Sequence, residues 1–100
     1  MKVTKGSDNV FVDCGFPPGE AENLRIRADM MIALRKHIRA KKLTQAQCAA
    51  VMGVSQPRIS DLVRGRIDLF SIDMLVRMLT AAGLRVEVRV KAAKPTRSAA

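Results

Sequence analysis

The chain has very few aromatic residues: no tryptophan, no tyrosine and three phenylalanines among its 100 residues. Proteins that bind single-stranded nucleic acid usually stack unpaired bases on aromatic rings. The composition therefore disfavours binding of unpaired RNA or DNA. It does not disfavour duplex binding, which relies on polar and basic side chains in the grooves and along the phosphates.

Residues for metal binding and catalysis are also scarce. The one histidine, His37, and the two cysteines, Cys14 and Cys48, do not have the spacing of a zinc site. The sequence also lacks a nucleophile motif, a phosphate-binding glycine loop and a pair of catalytic carboxylates. We therefore expect a protein that is not an enzyme and has no metal site and no cofactor.

Long apolar runs are missing, and acidic residues are outnumbered. No segment approaches the roughly 20 apolar residues of a membrane span, and the N-terminus lacks the apolar stretch of a secretory signal. We expect a cytoplasmic protein that makes no contact with membranes. Eighteen Lys and Arg against nine Asp and Glu give a net charge of +9, which predicts a polyanionic partner.

Residues 45–62 have the spacing of two short helices that cross through a tight turn. Ala49 is small enough for close helix approach, and Gly53 can adopt the positive φ that such a turn needs. Ile59 and Leu62 lie three residues apart and form the buried side of the second helix. Ser55 is its predicted N-cap. This pattern predicts a helix-turn-helix, whose second helix exposes side chains suited to base edges and phosphates.

The rest of the chain predicts a mainly α fold of four to five helices. A long helix is expected from about Glu20 to Ala40, and the motif helices span about Thr44–Met52 and Gln56–Arg64. Ser71 caps a further helix that ends at Gly83. Residues 1–9 are predicted to be a disordered tail, residues 10–90 the helix-turn-helix domain, and residues 91–100 a disordered basic tail.

The apolar period changes from 3.6 to 2 after Gly83, which predicts a C-terminal β-strand. A strand needs a partner along its edge. The short run Val10–Val12 is one candidate, and the same strand of a second subunit is the other. In the second case the strand makes a homodimer through Leu84, Val86, Val88 and Val90.

The four-helix pattern resembles the Cro/repressor-like, or XRE, family of DNA-binding domains over about residues 20–83. The matching residues are Thr44, Gln45, Ala49, Gly53, Val54, Ser55, Gln56, Ile59, Ser60 and Gly65. The resemblance implies that Gln45 contacts phosphate and that the start of the second motif helix reads bases in the major groove of duplex operator DNA. Pro57 departs from the family pattern, because relatives often carry a polar reader at this place.

The predicted site has two groups of residues. The base-contacting residues are Gln56, Arg58, Ser60 and Asp61. The phosphate-contacting residues are Lys41, Lys42, Thr44, Gln45, Ser55 and Arg64. For Asp61 two roles stay open, because it could accept from cytosine N4 or orient Arg58 or Arg64.

The segments on either side of the motif are similar to those of HigA-type antitoxins of type II toxin–antitoxin modules. That likeness implies a repressor of its own operon that also binds a small ribonuclease toxin of the RelE/HigB type. One alternative is a stand-alone XRE-type repressor without a toxin. A basic module that binds an acidic protein or RNA is a third interpretation.

Overall fold

The computed structural model describes residues 10–92, which form five α-helices and one 3₁₀ turn. The helices are α1 (Val10–Asp13), α2 (Pro18–Lys41), α3 (Gln45–Met52), α4 (Gln56–Val63) and α5 (Ile72–Ala81), and the 3₁₀ turn is Ile67–Leu69. The four longer helices confirm the predicted mainly α architecture. The predicted tails lie outside the described residues, except for residues 91 and 92.

Side-chain caps fix where three of the helices begin. The hydroxyl oxygens of Thr44, Ser55 and Ser71 accept hydrogen bonds from the backbone N–H three residues further on, at the starts of α3, α4 and α5. At α3 the cap is reciprocal, because Gln47 Oε1 accepts from the backbone N–H of Thr44 at 2.8 Å. These caps satisfy N–H groups that have no partner inside the helix.

The four longer helices end in the same way, with one residue in the left-handed region. Three of these residues are glycines, Gly53, Gly65 and Gly83, whereas α2 ends on Lys42 with φ 55°. In each case the N–H of the next residue donates to the carbonyl five positions back, as Leu43 does to Ile38 at 3.3 Å. A lysine in this conformation is strained, because its Cβ crowds the backbone carbonyl.

One apolar core lies between α2, α3, α4 and α5. Leu34 of α2, Ile59 and Leu62 of α4, and Leu75 of α5 are fully buried. Cys48 of α3 and Phe70, which precedes α5, belong to the same cluster. The core therefore holds the two motif helices against the long helix and α5.

An ion-pair chain lines the N-terminal half of α2. The Arg25 guanidinium bonds to Glu22 at 2.6 Å and to Asp29 at 3.2 Å. The hydrogen bond to Glu22 raises the pKa of Arg25. Burial raises the pKa of the Asp29 carboxyl, although Arg25 acts in the opposite direction. These contacts stabilise the helix itself.

The prediction that Val10–Val12 forms a strand is wrong, because these residues begin α1. The turn closes locally: Gly15 N–H donates to the Val12 carbonyl at 2.9 Å and Phe16 N–H to the Phe11 carbonyl at 3.1 Å. The Phe11 and Phe16 rings also meet edge to face, with centroids 6.2 Å apart. A helical turn satisfies its backbone groups internally, whereas three extended residues would have needed a partner strand.

The predicted C-terminal strand is not formed either, since residues 84–92 have no regular secondary structure. The apolar side is nevertheless partly docked: Leu84 and Val86 are half-buried against the core. Beyond them Val88 and Val90 are 83% and 89% exposed. A ladder requires a second extended chain, and the described residues contain none.

Candidate nucleic-acid interface

The turn between α3 and α4 sets the angle between the two motif helices. Gly53 adopts φ 68°, and the Val54 N–H donates to the Ala49 carbonyl at 3.1 Å, which ends α3. Ser55 then begins α4 by accepting from the Arg58 N–H at 3.3 Å. The structure therefore forms the helix-turn-helix that the spacing predicted.

The buried seam of α4 decides which of its side chains reach solvent. Ile59 and Leu62 are fully buried, so the opposite side of this two-turn helix faces outwards. Gln56 is exposed there, and Ser60 and Asp61 are half-exposed. Three of the four predicted base readers therefore share an accessible side of α4.

The predicted phosphate contacts lie at three places on the surface. Four of them follow one another across the α2–α3 junction: Lys41, Lys42, Thr44 and Gln45. Ser55 and Arg64 lie at the two ends of α4. All six are exposed. The Thr44 and Ser55 hydroxyls already accept a capping hydrogen bond, but each O–H remains free to donate to a phosphate oxygen.

The C-terminal half of α2 carries further cations that precede the predicted phosphate contacts in sequence. Lys36 and Arg39 are exposed on α2, and with Ile32 and Arg35 they line a shallow hollow. The Arg35 guanidinium reaches the end of α4, where its Nη1 would lie 3.7 Å from a Cβ built on Gly65. Helical spacing in the sequence places these cations on one side of α2. The approach of Arg35 to α4 is a tertiary feature.

Arg58 differs from the other predicted readers, because its guanidinium is held against the protein. Nη1 donates to the Leu69 carbonyl at 3.2 Å and lies 3.8 Å from Asp61 Oδ2. The guanidinium carbon also lies 5.6 Å from the centroid of the Phe70 ring. The contact with Asp61 is one of the two roles left open for that carboxylate, whereas sequence reasoning missed the contacts with Leu69 and Phe70, since no local pattern relates Arg58 to a turn eleven residues later.

Arg27 is a second residue that the sequence did not single out. Its Nη1 donates to the carbonyls of Ile67 and Phe70 at 3.0 and 3.1 Å, across 40 and 43 residues of sequence. Its Nε donates to Asn23 Oδ1 at 2.7 Å. Arg27 therefore ties the 3₁₀ turn to α2.

Residues 10–92 offer neither a metal-ion cluster nor a membrane-spanning helix. No cluster of three or more His, Cys, Asp and Glu side chains is placed to hold a metal ion in this part of the chain. No helix in the same range combines the length and apolar character needed to cross a membrane.

Comparisons with known proteins agree with this geometry. Residues 10–91 match the family model described as a helix-turn-helix domain. A solved structure described as an XRE family transcriptional regulator is similar, with 32% sequence identity and a TM-score of 0.68. The match covers 79% of this chain and 86% of that one. None of the curated proteins matches the chain. The family match and the shared fold place this chain in the helix-turn-helix domain family, as an XRE-type member.

Proposed function

We propose that the chain is a sequence-specific DNA-binding transcriptional repressor that acts on duplex operator DNA as a homodimer. The observation that carries this proposal is the accessible side of α4, which presents Gln56, Ser60 and Asp61 between exposed basic residues. A helix of this width fits the major groove of B-DNA, where each base pair displays a distinct pattern of donors and acceptors. The net charge of +9 favours the same partner.

Each exposed reader has a base for which its chemistry is suited. The amide of Gln56 can pair with adenine N6 and N7, and the carboxylate of Asp61 can accept from cytosine N4. The Ser60 hydroxyl can donate to or accept from either kind of group. Arg58 is the fourth predicted reader. Among the side chains of these four residues, only that of Arg58 donates to a backbone carbonyl within the described part of the chain.

The phosphate contacts fix the position of the protein on the duplex but do not distinguish sequences. Lys41, Lys42, Thr44 and Gln45 would hold one strand at the start of α3. Ser55 and Arg64 would hold the backbone at the two ends of α4. Salt should therefore weaken binding strongly, since each phosphate contact adds about 0.9 to the log–log slope on duplex DNA.

Dimerisation through residues 84–90 is part of the proposal. Leu84 and Val86 pack on the core, whereas Val88 and Val90, which continue the same alternation in the sequence, are more than four-fifths exposed. An antiparallel second copy would cover these valines and supply the missing ladder of backbone hydrogen bonds. A two-fold axis of this kind can place two α4 helices about 34–36 Å apart, as adjacent half-sites on DNA require.

The finer role that we propose is that of an antitoxin. It rests on the likeness of the flanking segments to HigA-type antitoxins, which implies a ribonuclease partner of the RelE/HigB type. A neighbouring gene for a small basic ribonuclease, whose toxicity this chain relieves on co-expression, would support the role. If no such neighbour exists, the protein is a stand-alone repressor with the same DNA chemistry.

Selection from a random pool of DNA duplexes tests the DNA-binding function directly. The full chain should enrich a palindromic sequence whose half-sites are 10–10.5 base pairs apart, centre to centre. Gln56→Ala should then lower affinity for that sequence by about 1–3 kcal/mol and relax preference at one base pair per half-site. A pool that shows no enrichment would reject the proposed function.

A further inference from the structure

Arginines from two helices donate hydrogen bonds to the turn between α4 and α5. Arg27 of α2 donates to the carbonyls of Ile67 and Phe70, at 3.0 and 3.1 Å. Arg58 of α4 donates to the Leu69 carbonyl, which lies between those two in sequence, at 3.2 Å. The Ile67 carbonyl also accepts the hydrogen bond of the 3₁₀ turn itself, from the Phe70 N–H at 3.2 Å. For the Leu69 and Phe70 carbonyls, at and just after the end of the turn, the two arginine side chains are the donors.

The Arg58 side chain is also packed on the turn. Its guanidinium carbon lies 5.6 Å from the centre of the Phe70 ring, within the range of a cation–π contact. The ring itself is 2% exposed and belongs to the core. The Arg58 side chain thereby links the first turn of α4 to the core.

These contacts compete with base reading by Arg58. An arginine that reads guanine presents two N–H groups in plane to O6 and N7. Nη1 of Arg58 already donates to the Leu69 carbonyl, so an end-on pair through both terminal nitrogens would have to share or give up that hydrogen bond. Gln56 and Ser60 make no side-chain hydrogen bond within the described chain, so they can turn to a base without breaking one.

We propose that Arg58 is a positioning residue rather than a base reader. It fixes the first turn of α4 to the 3₁₀ turn and so sets how Gln56, Ser60 and Asp61 enter the groove. This inference rests on the proposed DNA-binding function. Its two consequences are that Arg58 affects affinity through all of the read base pairs together rather than through one of them, and that it contacts no phosphate.

The DNA test compares Arg58→Ala with two matched variants on the duplex selected by the wild-type protein. Affinity is measured for that duplex, for each of its single-base-pair variants and over a range of salt concentrations. Arg58→Ala should lower affinity for the selected duplex while leaving the order of preference at each base pair and the salt slope unchanged. Gln56→Ala should relax one base pair, and Arg64→Ala should lower the slope by about 0.9.

Two DNA results would overturn the inference. Relaxed preference at one base pair in Arg58→Ala would make Arg58 a reader. A slope reduced by about 0.9 would make it a phosphate contact. Arg58→Lys keeps the positive charge. If Arg58 acts by positioning α4, this variant should bind more tightly than Arg58→Ala, and by the same factor for every single-base-pair variant of the duplex.

A measurement without DNA separates failure of this inference from failure of the proposed function. In the free wild-type protein, the ring current of Phe70 should shift the side-chain proton resonances of Arg58 in NMR spectra. Phe70→Leu should abolish that shift. Unshifted Arg58 resonances in the folded wild-type protein would reject the positioning role even if DNA binding is established.

Discussion

The two cysteines differ in their access to solvent, and this difference can be measured residue by residue. Cys14 is exposed, whereas Cys48 of α3 is fully buried in the core. Burial raises the pKa of the Cys48 thiol, so the reactive thiolate is disfavoured in the folded protein. As a member of the core cluster, Cys48 packs as a small apolar side chain.

We expect a disulfide reagent at neutral pH to label one thiol quickly and the second only as the protein opens. Cys14→Ser should remove the fast phase and leave the slow one. Because the folded pKa is raised, the stability linked to Cys48 is complete below the ordinary thiol pKa of about 8.5 and falls as pH rises above it. Equal labelling rates for the two thiols in the native protein would contradict the burial of Cys48.

Lys42 is the exception among the helix ends. The other long helices end on glycine, but α2 ends on a lysine with φ 55°, at a predicted phosphate contact. Strained backbone often persists where a side chain has a function. The sequence predicted a phosphate contact at this position, but only the structure shows that its backbone is left-handed.

Lys42→Gly should raise stability and weaken DNA binding at once. Removing the Cβ relieves about 1 kcal/mol of strain, which denaturant unfolding would detect. Losing the charge should lower the salt slope for duplex binding by about 0.9. Lys41→Gly is the matched control: it loses the same charge from the helical end of α2 and should cost stability, by about 0.5–1 kcal/mol.

A third variant shows whether the loss of any positive charge changes the salt slope of DNA binding. Arg77 is exposed on α5, a helix that carries none of the predicted DNA contacts. Arg77→Ala should leave the salt slope unchanged. If Lys42→Gly destabilises the protein, its left-handed backbone is not strained. If the salt slope of Lys42→Gly equals that of the wild type, Lys42 does not contact phosphate.

At the scale of the whole molecule, charge restricts how two copies can pair through residues 84–90. An antiparallel pair with its two-fold axis at Val86 puts Arg85 opposite Glu87 of the partner subunit. An axis at Val88 puts Glu87 opposite the partner subunit's Arg89. An axis at Glu87 would oppose like charges, which is destabilising. The proposed dimer should therefore adopt one of the first two registers.

Charge reversals measured by sedimentation equilibrium distinguish these registers. Arg85→Glu should weaken only the dimer centred on Val86, and Arg89→Glu only the dimer centred on Val88. Glu87→Arg should weaken both, and the double variant with the matching arginine reversed should restore the dimer. Each cross-strand pair contributes roughly 0.2–1 kcal/mol, and each dimer holds two.

Two outcomes would place the interface elsewhere. One is a wild-type protein that is monomeric at micromolar concentration. The other is a Val88→Pro variant that stays a folded dimer, since proline removes a ladder hydrogen bond and disrupts a paired strand.

The sequence by itself determined the helices and the motif, because their signals are local. Cap residues such as Ser55, the glycine in the α3–α4 turn and the Ile59–Leu62 seam act within a few residues of one another. They were sufficient to place α4 and its exposed side before any tertiary contact was considered. The alternation after Gly83 likewise identified the apolar side that Leu84 and Val86 dock on the core.

Only the tertiary structure decided matters that depend on residues far apart in the chain. Val10–Val12 became a helical turn because no strand lies beside it in the described chain and its backbone bonds close locally. Arg58 was directed to the Leu69 carbonyl and the Phe70 ring because the fold brings that turn over the start of α4. A sequence pattern predicts which side of a helix a residue occupies. Whether its charged end reaches solvent or a carbonyl is decided by the elements that pack around it.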